Sequence, residues 1–142
     1  MKKTIFSIAL ALTLTACATP YQSSGFRGGF EESQLAPNVF EISFKGNAFI
    51  SRETTRDYVL LRASELTINN GYKYFSIMNA DNITDVSSTA SINQFTGQVT
   101  VSNMRKPQSN LMVVMENNQI KGAFDASFMM NSLKKKHKLS VN

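Results

Sequence analysis

The polar and apolar side chains alternate with two different periods along the chain, and each period predicts one kind of element. Between residues 40 and 45 every second side chain is apolar, in the order F-E-I-S-F-K, which is typical of a strand with one buried face. Ser51 is a suitable N-cap for a helix. We therefore predict a helix from about Arg52 to Asn69, ended by Asn70-Gly71.

Apolar side chains fall on two sides of this predicted helix. Val59, Ala63 and Leu66 lie on one side. A helix that packs only on a sheet shows one apolar face, so we expect this one to be covered twice, by the sheet and by either a second helix or a partner subunit. The candidate partner face on the other side consists of Leu60, Leu61, Ser64 and Ile68.

The segment after the helix predicts further strands. Residues 72–78 have the composition of a strand that returns beside the first one through the helix, as a β-α-β unit with a right-handed crossover. Residues 79–88 are predicted to be a polar loop, followed by short strands at 89–93 and 98–103. Residues 110–116 contain the run L-M-V-V-M, which is typical of a strand buried on both faces or nearly so.

Residues 123–136 predict a closing helix with Phe124, Phe128 and Leu133 directed inward. The pattern as a whole predicts an α+β fold. We expect a small, mostly antiparallel sheet of about four or five strands, with an N-terminal β-α-β unit, one long helix and a C-terminal closing helix.

The start of the chain has the order of a secretory signal. Lys2 and Lys3 precede an apolar run from Ile5 to Leu14, which is too short to span ~30 Å of hydrocarbon as a helix. The following L-T-A-C resembles a bacterial lipobox, in which Cys17 is diacylated and becomes the new amino terminus. We therefore expect residues 1–16 to be a signal peptide and Cys17 to be the lipid attachment site, and three acyl chains would hold it permanently in a bilayer.

The remainder divides into three predicted parts. Residues 17–38 are rich in Gly, Ser and Pro and predict a lipidated tether, although their aromatic side chains could dock part of it on the domain. Residues 39–133 are the predicted α+β domain. Residues 134–142 are predicted to be a basic, solvated tail.

Charge and composition exclude some functions. The chain has 142 residues, of which 42% are hydrophobic, enough for one buried core. Six of its fifteen Lys and Arg side chains lie at positions 2–3 and 134–138, which leaves nine cations against ten acids. Because the body of the domain is not basic, nucleic acid is not expected as a partner.

Catalytic and metal-binding groups are scarce. Lipidation would consume the thiol of Cys17, the single cysteine. The sole histidine, His137, lies between two lysines and is predicted to be a solvated tail residue. Glu53 and Asp57 lie four positions apart on the helix, where carboxylates are commonly just solvated. We therefore expect no enzymatic activity, no metal and no cofactor.

Two groups of residues are candidates for binding an anion. Ser51, Arg52 and Arg56 lie at the predicted helix start, where free backbone amides favour negative charge, although N-capping with a surface ion pair is the preferred explanation of these residues. The lysine-rich tail could contact phosphate-rich lipid or glycan. Its candidate residues are Lys134, Lys135, Lys136 and Lys138.

Several motifs together resemble a functionally uncharacterised family of small Gram-negative outer-membrane lipoproteins. They are A-T-P-Y-Q directly after Cys17, then G-N, S-R-E, Y-x-L-x-R-A-x-E-L-T and G-Y-x-Y-F between residues 46 and 75. The resemblance implies an outer-membrane location, which agrees with Ala18 in place of the Asp associated with inner-membrane retention. It implies no activity.

These observations predict a periplasm-facing outer-membrane lipoprotein. We expect a non-enzymatic structural or assembly accessory of the envelope that works through an envelope protein partner or self-association. The alternative is a binding module for an anionic envelope ligand, such as lipopolysaccharide, phospholipid or peptidoglycan.

Overall fold

The computed structural model describes residues 18–93, 96 and 98–140, so the predicted signal peptide and Cys17 lie outside the described residues. The described elements are, in chain order, β1 (Gly29–Ala36), β2 (Val39–Lys45), α1 (Arg52–Asn69), β3 (Tyr74–Ile92), β4 (Val99–Glu116), β5 (Phe124–Asp125) and α2 (Ala126–Lys136). The strands form one sheet in the order β1-β2-β4-β3-β5, with every neighbouring pair antiparallel. The α+β class, the long helix and the closing helix are confirmed.

The β-α-β unit has a strand inserted in it. β2 and β3 are both antiparallel to β4, so they run parallel to each other as predicted, but β4 lies between them. The prediction that β3 lies beside β2 is therefore wrong. In the central place, β4 buries alternate residues of its apolar run on the helix side and pairs this run with β2 along one edge and with β3 along the other.

The core lies between the sheet and α1. Alternate residues of β2 and β4 point towards the helix, and α1 covers them with one apolar side. Each fully buried aliphatic or aromatic side chain contributes about 1.5–3 kcal/mol relative to an exposed one. The residues that form this layer are Phe40, Ile42, Phe44, Val59, Ala63, Leu66, Leu111, Val113 and Met115.

The second side of α1 is covered by α2, within the same chain. Asp57, Leu61, Ser64 and Ile68 follow the helical spacing i, i+4, i+7 and i+11, and Asp57 contacts the segment that ends α2. Leu61 and Ser64 are completely buried, and Leu60 and Ile68 are half-buried. The expectation that these four residues form a face for a partner is therefore wrong, and a second helix supplies the cover.

The segment predicted to be a tether is mostly folded. Residues 29–36 form β1, an edge strand paired with β2 from Gly29↔Lys45 to Ala36↔Val39. Thr19 is buried and Tyr21 packs against the core cluster. The glycines that suggested flexibility serve a tight turn instead, since Gly28 and Gly29 adopt positive φ angles of 92° and 133°.

Two predictions for the C-terminal half are wrong. Residues 79–88 are not a loop, because β3 continues through them to Ile92. Phe128 is exposed rather than directed inward. The side chain of Asp125 caps α2 by accepting a hydrogen bond from the Phe128 amide, so the helix starts at Ala126 and buries Ala126 instead. Phe124 is also exposed, and Leu133 is half-buried.

Candidate functional site

A two-stranded arm projects from the sheet. β2 pairs with β4 only as far as Lys45↔Gln108, whereas β3 and β4 remain paired to Ile92↔Val99. We call residues 84–92 and 99–107 the arm. Nine residues of strand span roughly 30 Å, so the arm extends about as far as a small domain is wide.

The arm has the chemistry of a contact element. Every described side chain from 88 to 106 is exposed, including Val99, Val101 and Met104. No charged residue occurs between positions 86 and 104. An isolated two-stranded hairpin is marginally stable in water at best, and natural sheet edges are usually protected by charges, prolines or cover. The distal arm, which consists of residues 88–92 and 99–103, has no charge, proline or cover among its described residues.

The antiparallel packing of α1 and α2 brings the two groups of candidate anion-binding residues to one end of the domain. Lys136, in the last turn of α2, contacts Glu53 in the first turn of α1, with Nζ 2.6 Å from Oε1. Arg52, Arg56, Lys135 and Lys138 are exposed at this end. Ser51 is used as the N-cap, because its Oγ accepts a hydrogen bond from the Thr54 amide.

The base of the arm and the start of the described chain lie at the same end. Thr19 Oγ1 accepts a hydrogen bond from the Asn47 amide at 2.8 Å, and the Gly46 amide donates to the Pro107 carbonyl. A groove of about 210 Å³ lies here, lined in part by Phe26 and Lys106. We call this region the basic end, with the cations Arg27, Arg52, Arg56, Lys106, Lys135 and Lys138.

A carboxylate is held between a lysine and a histidine side chain at the basic end. Asp57 is 6% exposed, and its Oδ2 lies 2.7 Å from Lys136 Nζ and 2.8 Å from His137 Nε2. Burial alone raises the pKa of Asp57, but the hydrogen bonds from Lys136 and His137 outweigh it and hold this pKa below its usual value. The hydrogen bonds to Asp57 and Glu53 raise the pKa of Lys136.

His137 is therefore not a solvated tail residue, as the flanking lysines suggested. Its side chain is 13% exposed, and its ring packs edge-on against Tyr58 at 5.1 Å between centroids. Because an ionised carboxylate only accepts hydrogen bonds, Nε2 carries the proton. Among the described residues no hydroxyl or thiol is hydrogen-bonded to this imidazole, and no group of three or more His, Cys, Asp or Glu residues could hold a metal ion.

A second polar cluster fixes the start of the chain to α1. The hydroxyl of Tyr21 donates to Glu65 Oε2 at 2.5 Å. Arg62 contacts Glu32 on β1 at 2.6 Å and lies 4.4 Å above the ring of Phe30. Burial, followed by the bond to Glu65, raises the pKa of Tyr21 well above its usual value. The cluster explains why this segment is ordered against the domain.

Sequence reasoning predicted the outer strands of the arm, at 89–93 and 98–103, but missed that they continue into β3 and β4, and it missed the binding of the C-terminal segment by Asp57. The uncharged stretch from 86 to 104 was a signal for the arm, because the β-branched residues Val, Ile and Thr recur along it. Lys134 also contacts Glu65, with Nζ 3.5 Å from Oε1. Nothing in the local sequence indicated that residues 134–137 would meet α1, since the contact joins positions 80 apart.

Comparison of the chain with protein-family models, with curated proteins and with solved structures finds no match. The resemblance to the small outer-membrane lipoproteins therefore stays a prediction. Among the helices in the described part of the chain, none is both long enough and apolar enough to cross a bilayer.

Proposed function

We propose that this protein is a lipid-anchored, non-enzymatic accessory of the Gram-negative outer membrane that faces the periplasm and works through protein contact made by the arm. The observation that carries the proposal is the arm itself. From residue 88 to residue 106 none of its described side chains is buried, yet it extends both strands for about 30 Å.

The unpaired strand edges of the arm define the kind of contact. Beyond Phe75, β3 has β4 as its neighbour and no described strand on its other edge, and β4 has none beyond Gln108. An exposed edge binds an extended segment of another protein through main-chain hydrogen bonds. The absence of charge between positions 86 and 104 removes the usual obstacle to such pairing.

The anchor at Cys17 is tested first. Mass spectrometry of the full-length protein purified from membranes should show an acylated amino-terminal Cys17 after loss of residues 1–16. An unmodified thiol, or a leader still present, would contradict the anchor but would not test the contact made by the arm.

The contact is tested with a photo-crosslinking amino acid in place of Thr100 or Val101, which lie on opposite faces of the arm because they are neighbours in a strand. Leu35 and Phe128 serve as control positions, since both are exposed and lie outside the arm. In intact cells we expect a discrete adduct from an arm position and none from the controls. An adduct of twice the monomer mass would indicate self-association, and no adduct from either arm position would contradict the proposal.

A shortened arm provides the matching loss-of-function test. Replacing residues 88–103 by Asn-Gly joins the cross-strand pair Ser87↔Met104 through a two-residue hairpin turn. Because no described residue of the core is removed, the free energy of unfolding should change by less than about 1 kcal/mol. With the crosslinker at Lys106, near the base of the arm, the intact protein should form the adduct and the shortened variant should not. A stable variant that still forms the same adduct would show that the distal arm is not the contact.

A further inference from the structure

We propose that the basic end is a membrane-docking surface, which lies on the anionic lipid bilayer to which Cys17 is attached. This inference rests on the proposed lipid anchor. Of the anionic envelope ligands expected as the alternative function, it specifies one, the surface of a bilayer. Its test does not require the contact made by the arm.

The first support is the place where the chain enters the domain. The side chain of Thr19 is buried, and its Oγ1 donates to the Arg27 carbonyl at 2.7 Å and accepts from the Asn47 amide at 2.8 Å. Two residues of extended chain span at most about 7 Å. An acyl group on Cys17 is thus attached within about 7 Å of the basic end, with no tether to hold the domain away from the lipid.

The second support is a pair of exposed aromatic side chains. Phe26 is fully exposed, and Phe49 has two-thirds of its surface exposed. Phe26 lines the groove at the basic end, and the Phe49 amide is hydrogen-bonded to the side chain of Asn47, which also lies on that groove. Aromatic rings beside cations are the usual composition of a surface at the water–lipid interface.

The third support is the charge balance at this end. The carboxylates here whose side chains the structure describes already have partners, since Glu31 pairs with Lys45, Glu53 with Lys136, and Asp57 with both Lys136 and His137. The remaining cations give an excess of positive charge directed at solvent. Each Lys or Arg near an anionic bilayer increases affinity by roughly fivefold. The cations concerned are Arg52, Arg56, Lys106, Lys135 and Lys138.

The opposite end of the domain has exposed apolar residues without this charge. Ile120 and Phe128 are both exposed there. The nearby charges are balanced, with Lys73 and Lys121 against Glu116 and Asp125. Apolar exposure therefore does not distinguish the two ends, whereas net charge and the entry of the chain do.

The docking also constrains the arm, which leaves from the same end. A two-stranded ribbon with free edges cannot enter hydrocarbon, because its unpaired backbone groups would lose their hydrogen bonds to water. The arm would run along the bilayer surface, and the protein that it contacts would lie at that surface.

The test uses the full-length lipidated protein in vesicles. A fluorescent amino acid replaces one of four exposed apolar residues, Phe26 or Phe49 at the basic end, or Ile120 or Phe128 at the opposite end. The vesicles contain phosphatidylcholine mixed with phosphatidylglycerol, and brominated lipid quenches any probe that reaches the bilayer. We expect quenching at positions 26 and 49 and none at 120 and 128. Phosphatidylcholine alone or high salt should weaken it, because the attraction is screened.

Charge reversal provides a matched control. Arg52→Glu with Lys106→Glu should abolish quenching at position 49, whereas Lys73→Glu with Lys121→Glu, which changes the net charge equally at the opposite end, should leave it unchanged. Equal quenching at all four positions, or none at 26 and 49, would overturn the docking surface. Mass spectrometry of the same samples shows whether Cys17 carries lipid. If it does not, the unlipidated protein is added to the vesicles from solution and quenching is measured again. Failure of the anchor and failure of the docking surface therefore remain distinguishable.

Discussion

The Nε2 atom of His137 lies 2.8 Å from Oδ2 of Asp57, although the two residues are 80 positions apart. This hydrogen bond joins the residue that ends α2 to the second turn of α1. With Lys136 on the same carboxylate oxygen, it turns the predicted basic tail into part of the folded domain.

Replacing Asp57 by Asn should reveal the strength of this connection through its pH dependence. The folded state holds the pKa of Asp57 below its usual value of about 4. The stabilisation is therefore fully present above about pH 4 and is lost as the pH falls through the lower pKa of the folded state. We expect Asp57→Asn to lower the free energy of unfolding by about 1–3 kcal/mol at pH 7, and we expect this difference to shrink at pH 3.

Chemical denaturation at the two pH values measures the effect of Asp57→Asn. Glu53→Gln is the control, because Glu53 shares Lys136 but is exposed. It should lower stability less than Asp57→Asn does. If Asp57→Asn lowered the free energy of unfolding equally at pH 3 and pH 7, the ionised form of Asp57 would not stabilise the packing of Lys136 and His137 against α1.

Tyr21 should make stability fall at alkaline pH. Burial and the bond to Glu65 raise the pKa of Tyr21, so the folded state favours the neutral phenol. This contribution is present below about pH 10, the usual pKa of tyrosine, and is lost as the pH rises above it. We expect Tyr21→Phe to cost about 1 kcal/mol at pH 7 and to reduce the alkaline loss, measured by denaturation between pH 8 and pH 11.

A larger substitution tests whether the segment before β1 is docked. Tyr21 packs its ring against Phe30 and Tyr58, with centroids 5.1 and 5.4 Å away. We expect Tyr21→Ala to cost roughly 2 kcal/mol, below the value for a fully buried aromatic residue. If Tyr21→Ala had no effect on stability, residues 18–28 would be the free tether that their composition suggested.

Gly28 should tolerate alanine much less than Gly122 does. Both glycines have positive φ, 92° and 88° respectively. A Cβ at Gly28 would run into the backbone carbonyl of Lys45, whereas a Cβ at Gly122 has nothing within 4 Å. We expect Gly122→Ala to cost about 1 kcal/mol for the backbone conformation alone, and Gly28→Ala to cost roughly 2 kcal/mol more. Thermal unfolding of the two variants compares them, and equal losses would contradict the close approach of residue 28 to β2.

The end of α2 offers a stabilising substitution. Lys138 has a φ of 53°, and the backbone bonds Leu139 N to Lys134 O and Lys138 N to Lys135 O form a Schellman motif. Glycine has no steric penalty in this conformation, so Lys138→Gly should raise the free energy of unfolding by about 1 kcal/mol.

The matched control for Lys138 is the end of α1, which has the same motif with Gly71 at a φ of 81°. Gly71→Ala should lower stability by about 1 kcal/mol, because it places a side chain in the conformation that Lys138 already adopts. Opposite signs for the two substitutions in a denaturation experiment would confirm the motif. A loss on Lys138→Gly would show that the lysine side chain, rather than its backbone, matters at this position.

The two helices differ in how well the sequence alone predicted them. Helix α1 begins and ends at the residues predicted from Ser51 and Asn70-Gly71. The start of α2 was predicted three residues early, at Ala123, because β5 occupies Phe124–Asp125 before the helix. That short strand forms only because the end of the chain returns to Tyr74 and Phe75, which no local pattern encodes.

The strands show the same division. β2 and the apolar half of β4 were predicted from their own side-chain patterns. β1 and the part of β3 between residues 79 and 88 were missed, because their Gly, Ser, Thr and Asn residues form strands only when a partner strand satisfies the backbone. The short strands predicted at 89–93 and 98–103 are present, but as the outer part of two much longer strands.

The sequence by itself determined the α+β class, the long helix with its caps, and the apolar strands that form the core. Those features follow from hydrogen bonds within a few residues of one another and from side-chain periodicity. Only the tertiary structure decided that Leu61 and Ser64 are covered by the chain itself, that Lys136 and His137 bind Asp57, and that the cations of two distant segments share one end. Burial and ion pairing depend on which distant surface packs against a residue, and local sequence does not specify that surface.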